Sequence, residues 1–191
     1  MSAKHEIQEE TFRRVREYLS EFFDDPYCDP EEGHFYVRYG TTVLEISVEP
    51  HGSDEVVVRI MSYCVQGVDT AEDLLIGLLE LNHNLALGHF SLVDDDVYFS
   101  HSLFGRDLEP RDLLRAITAV ANIADDYDDR IVEKYGGQTA LERIQHTGGP
   151  RRRRGETGEI DRLNETGEYD RFSETGELDH LASELDKLTE D

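Results

Sequence analysis

At 191 residues and a formal charge of −24, the chain has room for one ordinary domain and a tail, and two full domains would be a squeeze. The charge is uneven: residues 1–137 carry 29 acids against 11 bases, residues 138–154 carry five bases and one acid, and residues 155–191 carry 13 acids and three bases. Such a field repels phosphate backbones and anionic lipid and attracts basic partners, so neither nucleic acid nor a membrane surface is expected as a ligand of the body.

The start, "MSAKHEIQEE", lacks the basic and apolar order of a secretory signal, and no apolar run approaches the roughly 20 residues that span a bilayer; the expectation is a cytoplasmic protein. The first helix is predicted from "EIQEETFRRVREYLSEFF", where Phe12, Val15, Leu19 and Phe22 form a stripe and Glu9–Arg13 and Glu10–Arg14 stand at favourable spacing. Pro26 and Pro30 forbid its continuation. The period then becomes two. "HFYVRYG", "TTVLEISVEP" and "EVVVRIMSYCV", separated by Gly40 and by "PHGSD", read as a three-stranded antiparallel meander.

"VDTAEDLLIGLLELNHNLALG" returns to helical spacing, with Asp69 expected as N-cap, Glu72 three residues on, and an end before Gly88. "LGHFSLV" and "VYFSHSLF" flank "DDD" and predict a second hairpin. Pro110 suits the first turn of a last long helix, in which Leu113, Ile117, Val120, Ala124, Tyr127 and Ile131 make one stripe before Gly136 and Gly137 end it. The expected fold is therefore α+β, in the order α-β-β-β-α-β-β-α, with helices laid on an antiparallel sheet.

This order, together with "LLELNHNLALGHFSL", the acidic hairpin after it and the segment ending "ADDYDDRIVEKYGG", resembles the YbjN-like branch of the type III secretion chaperone-like superfamily over roughly residues 5 to 137. The resemblance implies a non-enzymatic fold. Type III chaperones of this shape are small, acidic, usually homodimeric proteins that hold a partner polypeptide in extended form on apolar patches, and YbjN-like members are regulators or chaperone-like proteins without a settled biochemical activity. The repeat tail departs from that pattern, and nothing in the chain requires a secretion system.

Independently of the resemblance, the second helix has more apolar surface than one sheet can cover. Leu74, Leu75, Ile76, Leu78, Leu79, Leu81 and Leu85 span an arc of roughly 220° at about 100° per residue, against the roughly 100° stripe that packing on a sheet needs. Either another helix of the same chain covers the excess, or Leu74, Leu75, Ile76, Leu78 and Leu79 form a client patch or self-association seam.

Catalytic and metal chemistry find little support. His83, His89 and His101 fall near one another in the expected fold, but no pair has the spacing that sets two ligands on one helix face. "DDD" at 94–96 reads as a solvated turn without the ligand pattern of a calcium loop, and Asp125 and Asp129 one turn apart read as a polar helix face. Cys28 and Cys64 are the only cysteines, with no partners at zinc-ligand spacing and no local base or oxyanion arrangement; no disulfide is expected in a reducing compartment. No Gly-rich loop joins a strand to a helix, which argues against an ATPase. The expectation is no catalytic residue, no cofactor and no metal.

The tail repeats one nine-residue phrase three times from Glu156, as "ETGEIDRLN", "ETGEYDRFS" and "ETGELDHLA". Each copy has two apolar positions three apart: Ile160 and Leu163, Tyr169 and Phe172, Leu178 and Leu181. A nine-residue period places successive copies on opposite helix faces, and glycine in every copy costs a helix about 1 kcal/mol relative to alanine, so no continuous apolar side arises. Two readings stand: a disordered, soluble tail from local duplication, or three linked short motifs that gain avidity. Leu178, Leu181, Leu185 and Leu188 also draw one short amphipathic helix, from about 177 to 188. The expected organisation is a body at 1–137, a basic linker at 138–155 containing "RRRR", and the repeat tail at 156–191. The expected function is a homodimeric, non-enzymatic chaperone-like or adaptor protein that binds a protein or peptide client; a regulatory assembly component without holding activity is the alternative, with an uncharacterised enzyme as the least favoured reading.

Overall fold

A computed structural model describes residues 3–24, 26–29, 33–39, 42–140 and 142. The chain folds as α1 (Ala3–Phe22), β1 (Tyr27–Asp29), β2 (His34–Tyr39), β3 (Thr42–His51), β4 (Glu55–Gln66), α2 (Glu72–Asn84), β5 (His89–Val93), β6 (Asp96–Phe104), α3 (Pro110–Tyr135) and β7 (Gln138–Thr139). One antiparallel sheet runs in the order β1-β2-β3-β4-β6-β5, and β7 joins it on β4. The meander, the second hairpin and the three helices stand where hydrophobic period placed them, and the fold is α+β as expected.

Alternation decides which side of each strand is covered. Leu44, Ile46 and Val48 on β3 and Val56, Val58 and Ile60 on β4 are buried, and they share one core with Val15 and Leu19 of α1 and Leu113, Ile117, Val120, Ala124 and Ile131 of α3. Phe12 of α1 stacks on Phe35 of β2, with ring centroids 4.6 Å apart. Arg14 donates to the carbonyls of Gly105 and Arg106 at 2.7 and 2.8 Å, so it fastens α1 to the turn that precedes α3.

Past Ile60 the alternation stops, because β4 is buried continuously from Ile60 to Gln66 and β6 from Asp96 to Ser100. Met61, Tyr63 and Tyr98 form a second apolar cluster, and Ala140 completes it. On β4 the register puts Met61 and Tyr63 out of step with Val58 and Ile60, which assigns this cluster to the opposite face of the sheet. The chain therefore continues past the Gly136–Gly137 pair into the fold. Thr139 and Gln138 pair with Val65 and Gln66, and Thr139 and Glu142 exchange hydrogen bonds of 3.0 and 3.2 Å, Thr139 N–H to the Glu142 carboxylate and Glu142 N–H to the Thr139 hydroxyl, the reciprocal pattern of a capping box. The segment expected as linker from residue 138 thus begins as a strand.

Two local expectations are corrected. Helix α2 starts at Glu72 with Ala71 in the N-cap position and no side-chain cap; Asp69 instead donates its N–H to the Tyr135 carbonyl at 2.9 Å, because the end of α3 competes for that backbone. The "DDD" turn is not all solvent-facing either. Asp94 and Asp95 make the two-residue loop, with Asp94 at φ 56°, whereas Asp96 is buried and accepts the Gly67 N–H at 3.0 Å.

Gly88 sets how closely the α2–β5 connection approaches β6. Its φ is +71°, and a Cβ there would lie 2.5 Å from the Phe99 ring and 2.8 Å from the Ser100 carbonyl oxygen. Gly88→Ala therefore combines left-handed strain with an overlap that backbone cannot relieve, and it is expected to lower stability by about 2 kcal/mol or more. Chemical denaturation of the two proteins checks this; an unchanged midpoint would contradict it.

Candidate functional site

Helix α2 is held along one side and bare along the other. Leu74 and Leu78 are buried, and Leu81 and Leu85 pack partly against the same core. Asn82 makes the attachment specific: its amide oxygen accepts the Phe90 N–H at 2.7 Å and its amide nitrogen donates to the Phe90 carbonyl at 3.0 Å. The side chain thereby does what a neighbouring strand would do for the outer edge of β5, which is the last strand of the sheet. At the other end of the helix, Tyr135 Oη donates to the Asp73 carbonyl at 3.2 Å and Lys134 Nζ stands 3.6 Å from the Asp73 carboxylate.

This attachment divides the expected patch. Leu74 and Leu78 belong to the core, while Leu75, Ile76 and Leu79 are 42%, 49% and 69% exposed. The helices α1 and α3 of the same chain do not cover these three. Leu87, just past the helix, is 50% exposed and extends the apolar surface toward β5, where Val93 is 38% exposed. Ile76 and Leu79 also border an open groove with Glu80, His83 and Asn84. Sequence reasoning passed over Leu87 and Asn82; the helix expected to run up to Gly88 ends at Asn84, which leaves Leu87 past it, and the role of Asn82 depends on where β5 falls.

A second recess is polar. It has a volume of about 350 Å³ and lies where the pairing of β3 with β4 ends, at Leu44 opposite Ser62, and that of β7 begins, at Thr139 opposite Val65. Asp125, Asp128 and Asp129 of α3 line it together with Glu142. Burial, with the added repulsion of Asp129, Asp125 and Glu142, pushes the Asp128 carboxyl up to about 6. Asp125 and Asp129, read as a plain polar face, thus belong to a concave acidic cluster.

The remaining reactive groups stay apart. His89 and His101 lie on neighbouring strands, with His89 Nε2 3.4 Å from the Ser100 hydroxyl, and His83 is exposed on α2. Burial and the nearby His89 hold His101 below the usual imidazole range. Among the described residues no group of three or more His, Cys, Asp or Glu side chains is arranged to hold a metal ion, and no helix is long and apolar enough to cross a membrane. The tail anchors Ile160, Leu163, Tyr169, Phe172, Leu178, Leu181, Leu185 and Leu188, with the short helix drawn through the last four, lie outside the described residues.

Both cysteines are free, Cys64 buried and Cys28 half-buried. Burial raises the Cys28 thiol and raises the Cys64 thiol much further. A thiol reagent at pH 8 is therefore expected to label Cys28 in the folded protein and to reach Cys64 only after denaturant is added; equal labelling rates under native conditions would contradict this burial.

The model of the family described as "T3SS (YopN, CesT) and YbjN peptide-binding chaperone 1" matches residues 9–143. Among curated proteins none is significantly similar. Among solved structures, the ExsC–ExsE complex contains a chain 12% identical, with a TM-score of 0.52 over 69% of this chain and 97% of that one. The HopA1–SchA chaperone–effector complex gives 12% identity and a TM-score of 0.48 over 62% and 94%. The Yersinia pestis type III secretion chaperone SycH, in complex with a stable fragment of YscM2, gives 18% and 0.46 over 61% and 98%.

Proposed function

We propose that this chain, which belongs to the T3SS and YbjN family of peptide-binding chaperones, is a non-catalytic cytoplasmic protein that holds a polypeptide partner against the exposed face of α2. The observation that carries the reading is the division of that helix. Its buried side is locked to β5 and α3 through Asn82 and Asp73, so Leu75, Ile76 and Leu79 are presented on a fixed base.

Each of these side chains gains about 1 kcal/mol or more when a partner removes its exposed apolar area from water. The surface is an exposed helix face beside an open groove that Glu80, His83 and Asn84 border, whereas a small-molecule site encloses most of its ligand. An apolar segment of another polypeptide suits it. In the absence of a client a second copy of the chain covers the same face, which makes the resting form a homodimer. The tail pairs Ile160 and Leu163, Tyr169 and Phe172, and Leu178 and Leu181, with Leu185 and Leu188 beyond them, serve as linked anchors for a second partner.

The test uses Leu75→Glu with Leu79→Glu, both at exposed helical positions where glutamate suits the backbone. The double variant is expected to keep its circular dichroism, to fall from dimer to monomer by light scattering, and to lose roughly tenfold or more of its ability to suppress aggregation of a chemically unfolded polypeptide, the scale of a few kcal/mol of lost burial. A folded variant with unchanged mass and unchanged holding would overturn the assignment of the surface. Wild-type protein that self-associates but suppresses no aggregation would favour the regulatory assembly component instead.

A further inference from the structure

The acidic recess beside β7 is more than a charged helix face. Asp125 and Asp129 line it from exposed positions on α3 and Asp128 from a half-buried one, and Glu142, whose carboxylate accepts the Thr139 N–H, lines it beside β7. Among the described lining residues none is basic. Ser62 on its floor is fully buried, and its Oγ has no hydrogen-bond partner. An orphaned hydroxyl at the bottom of a carboxylate-lined recess is an unmet acceptor as well as a donor. The carboxylates do not converge three at a time as a metal ion requires; their spread suits a broad, planar cation with several N–H donors, which is a guanidinium.

We propose that this recess is a docking site for arginine, and that its occupant is the Arg151–Arg154 run of the same chain. Charge complementarity is the first argument, since four carboxylates meet the one segment of the sequence in which four bases stand together. Tether length is the second. Glu142 is itself a wall of the recess, and Arg151 follows nine residues later, a span of up to roughly 30 Å when extended. So short a connection holds the run near its site at an effective concentration on the order of millimolar. Docking there fixes the base of the repeat tail beside β7 and offsets the carboxylate repulsion that adds to burial at Asp128. The proposal does not depend on what α2 binds.

The test works on the full chain with all four arginines replaced by glutamine (R151Q, R152Q, R153Q, R154Q). A fluorescent peptide of residues 147–155, TGGPRRRRG, is titrated into this variant and into wild type at low salt. The peptide is expected to bind the variant at least about tenfold more tightly, because in wild type the tethered run competes at that effective concentration. Adding Asp125→Asn and Asp129→Asn, both exposed, is expected to abolish the gain. Equal affinity for wild type and variant would overturn the proposal. Binding that survives the two asparagines would also overturn it and assign the arginines to the acidic repeats. Amide exchange gives a second readout: residues 125–129 and 138–139 are expected to exchange several-fold faster in the four-glutamine variant, and identical exchange counts against docking.

Discussion

The packing of α3 across β4 is the constraint on which the rest of the structure depends. Among the described residues, β4 is the only strand bonded to three others, β3 and β7 along one edge and β6 along the opposite one. Its Val56, Val58 and Ile60 meet the Leu113–Ile131 stripe of α3 in one core. Eight buried positions along α3 are what turn an antiparallel sheet with one wet face into a stable layer, since hydrophobic burial is the largest favourable term available to it. Because α3 lies where it does, its C-terminal turn reaches the start of α2, and its acidic face overlooks the gap between β3 and β7. Both surfaces discussed above are consequences of that single arrangement.

The α2 helix shows how a sheet edge can be closed and an apolar face left exposed by the same element. An edge strand with free backbone groups invites another chain to pair with it. Here Asn82 satisfies Phe90 on both its N–H and its carbonyl, so near that residue β5 is closed to strand addition. The helix that provides the closure then presents Leu75, Ile76 and Leu79 outward. Under the proposed function, apolar recognition is directed to a helix face, where side chains decide what binds, and away from an edge, where any extended backbone would serve.

Much of this was legible in the sequence, for identifiable reasons. The long stripes of α1 and α3 and the alternation of β2 to β4 are local patterns, and period alone locates them. The excess apolar arc of α2 was also legible, because an arc of roughly 220° exceeds what one sheet covers; only its division into buried Leu74 and Leu78 and exposed Leu75, Ile76 and Leu79 needed the fold. What escaped was non-local. Strand β1 has three residues and β7 has two, too short for any period, and β7 finds its partner some 70 positions earlier in the chain. The second cluster of Met61, Tyr63, Tyr98 and Ala140 draws on three distant segments, and the acidic recess draws on four. Asp96 and Asp69 were misread because distant backbone groups engage them: the Asp96 carboxylate accepts the Gly67 N–H, and the Asp69 N–H donates to the Tyr135 carbonyl.

The central claim is that the bare face of α2 is where another polypeptide is held. Methyl-resolved NMR of the full chain, recorded with and without a saturating unfolded polypeptide, tests it most directly. The account predicts that the methyl signals of Leu75, Ile76, Leu79 and Leu87 shift while those of the core residues Ile46, Ile60 and Leu114 stay in place. Shifts confined to the far face of the sheet around Met61, with the α2 methyls unmoved, would contradict it.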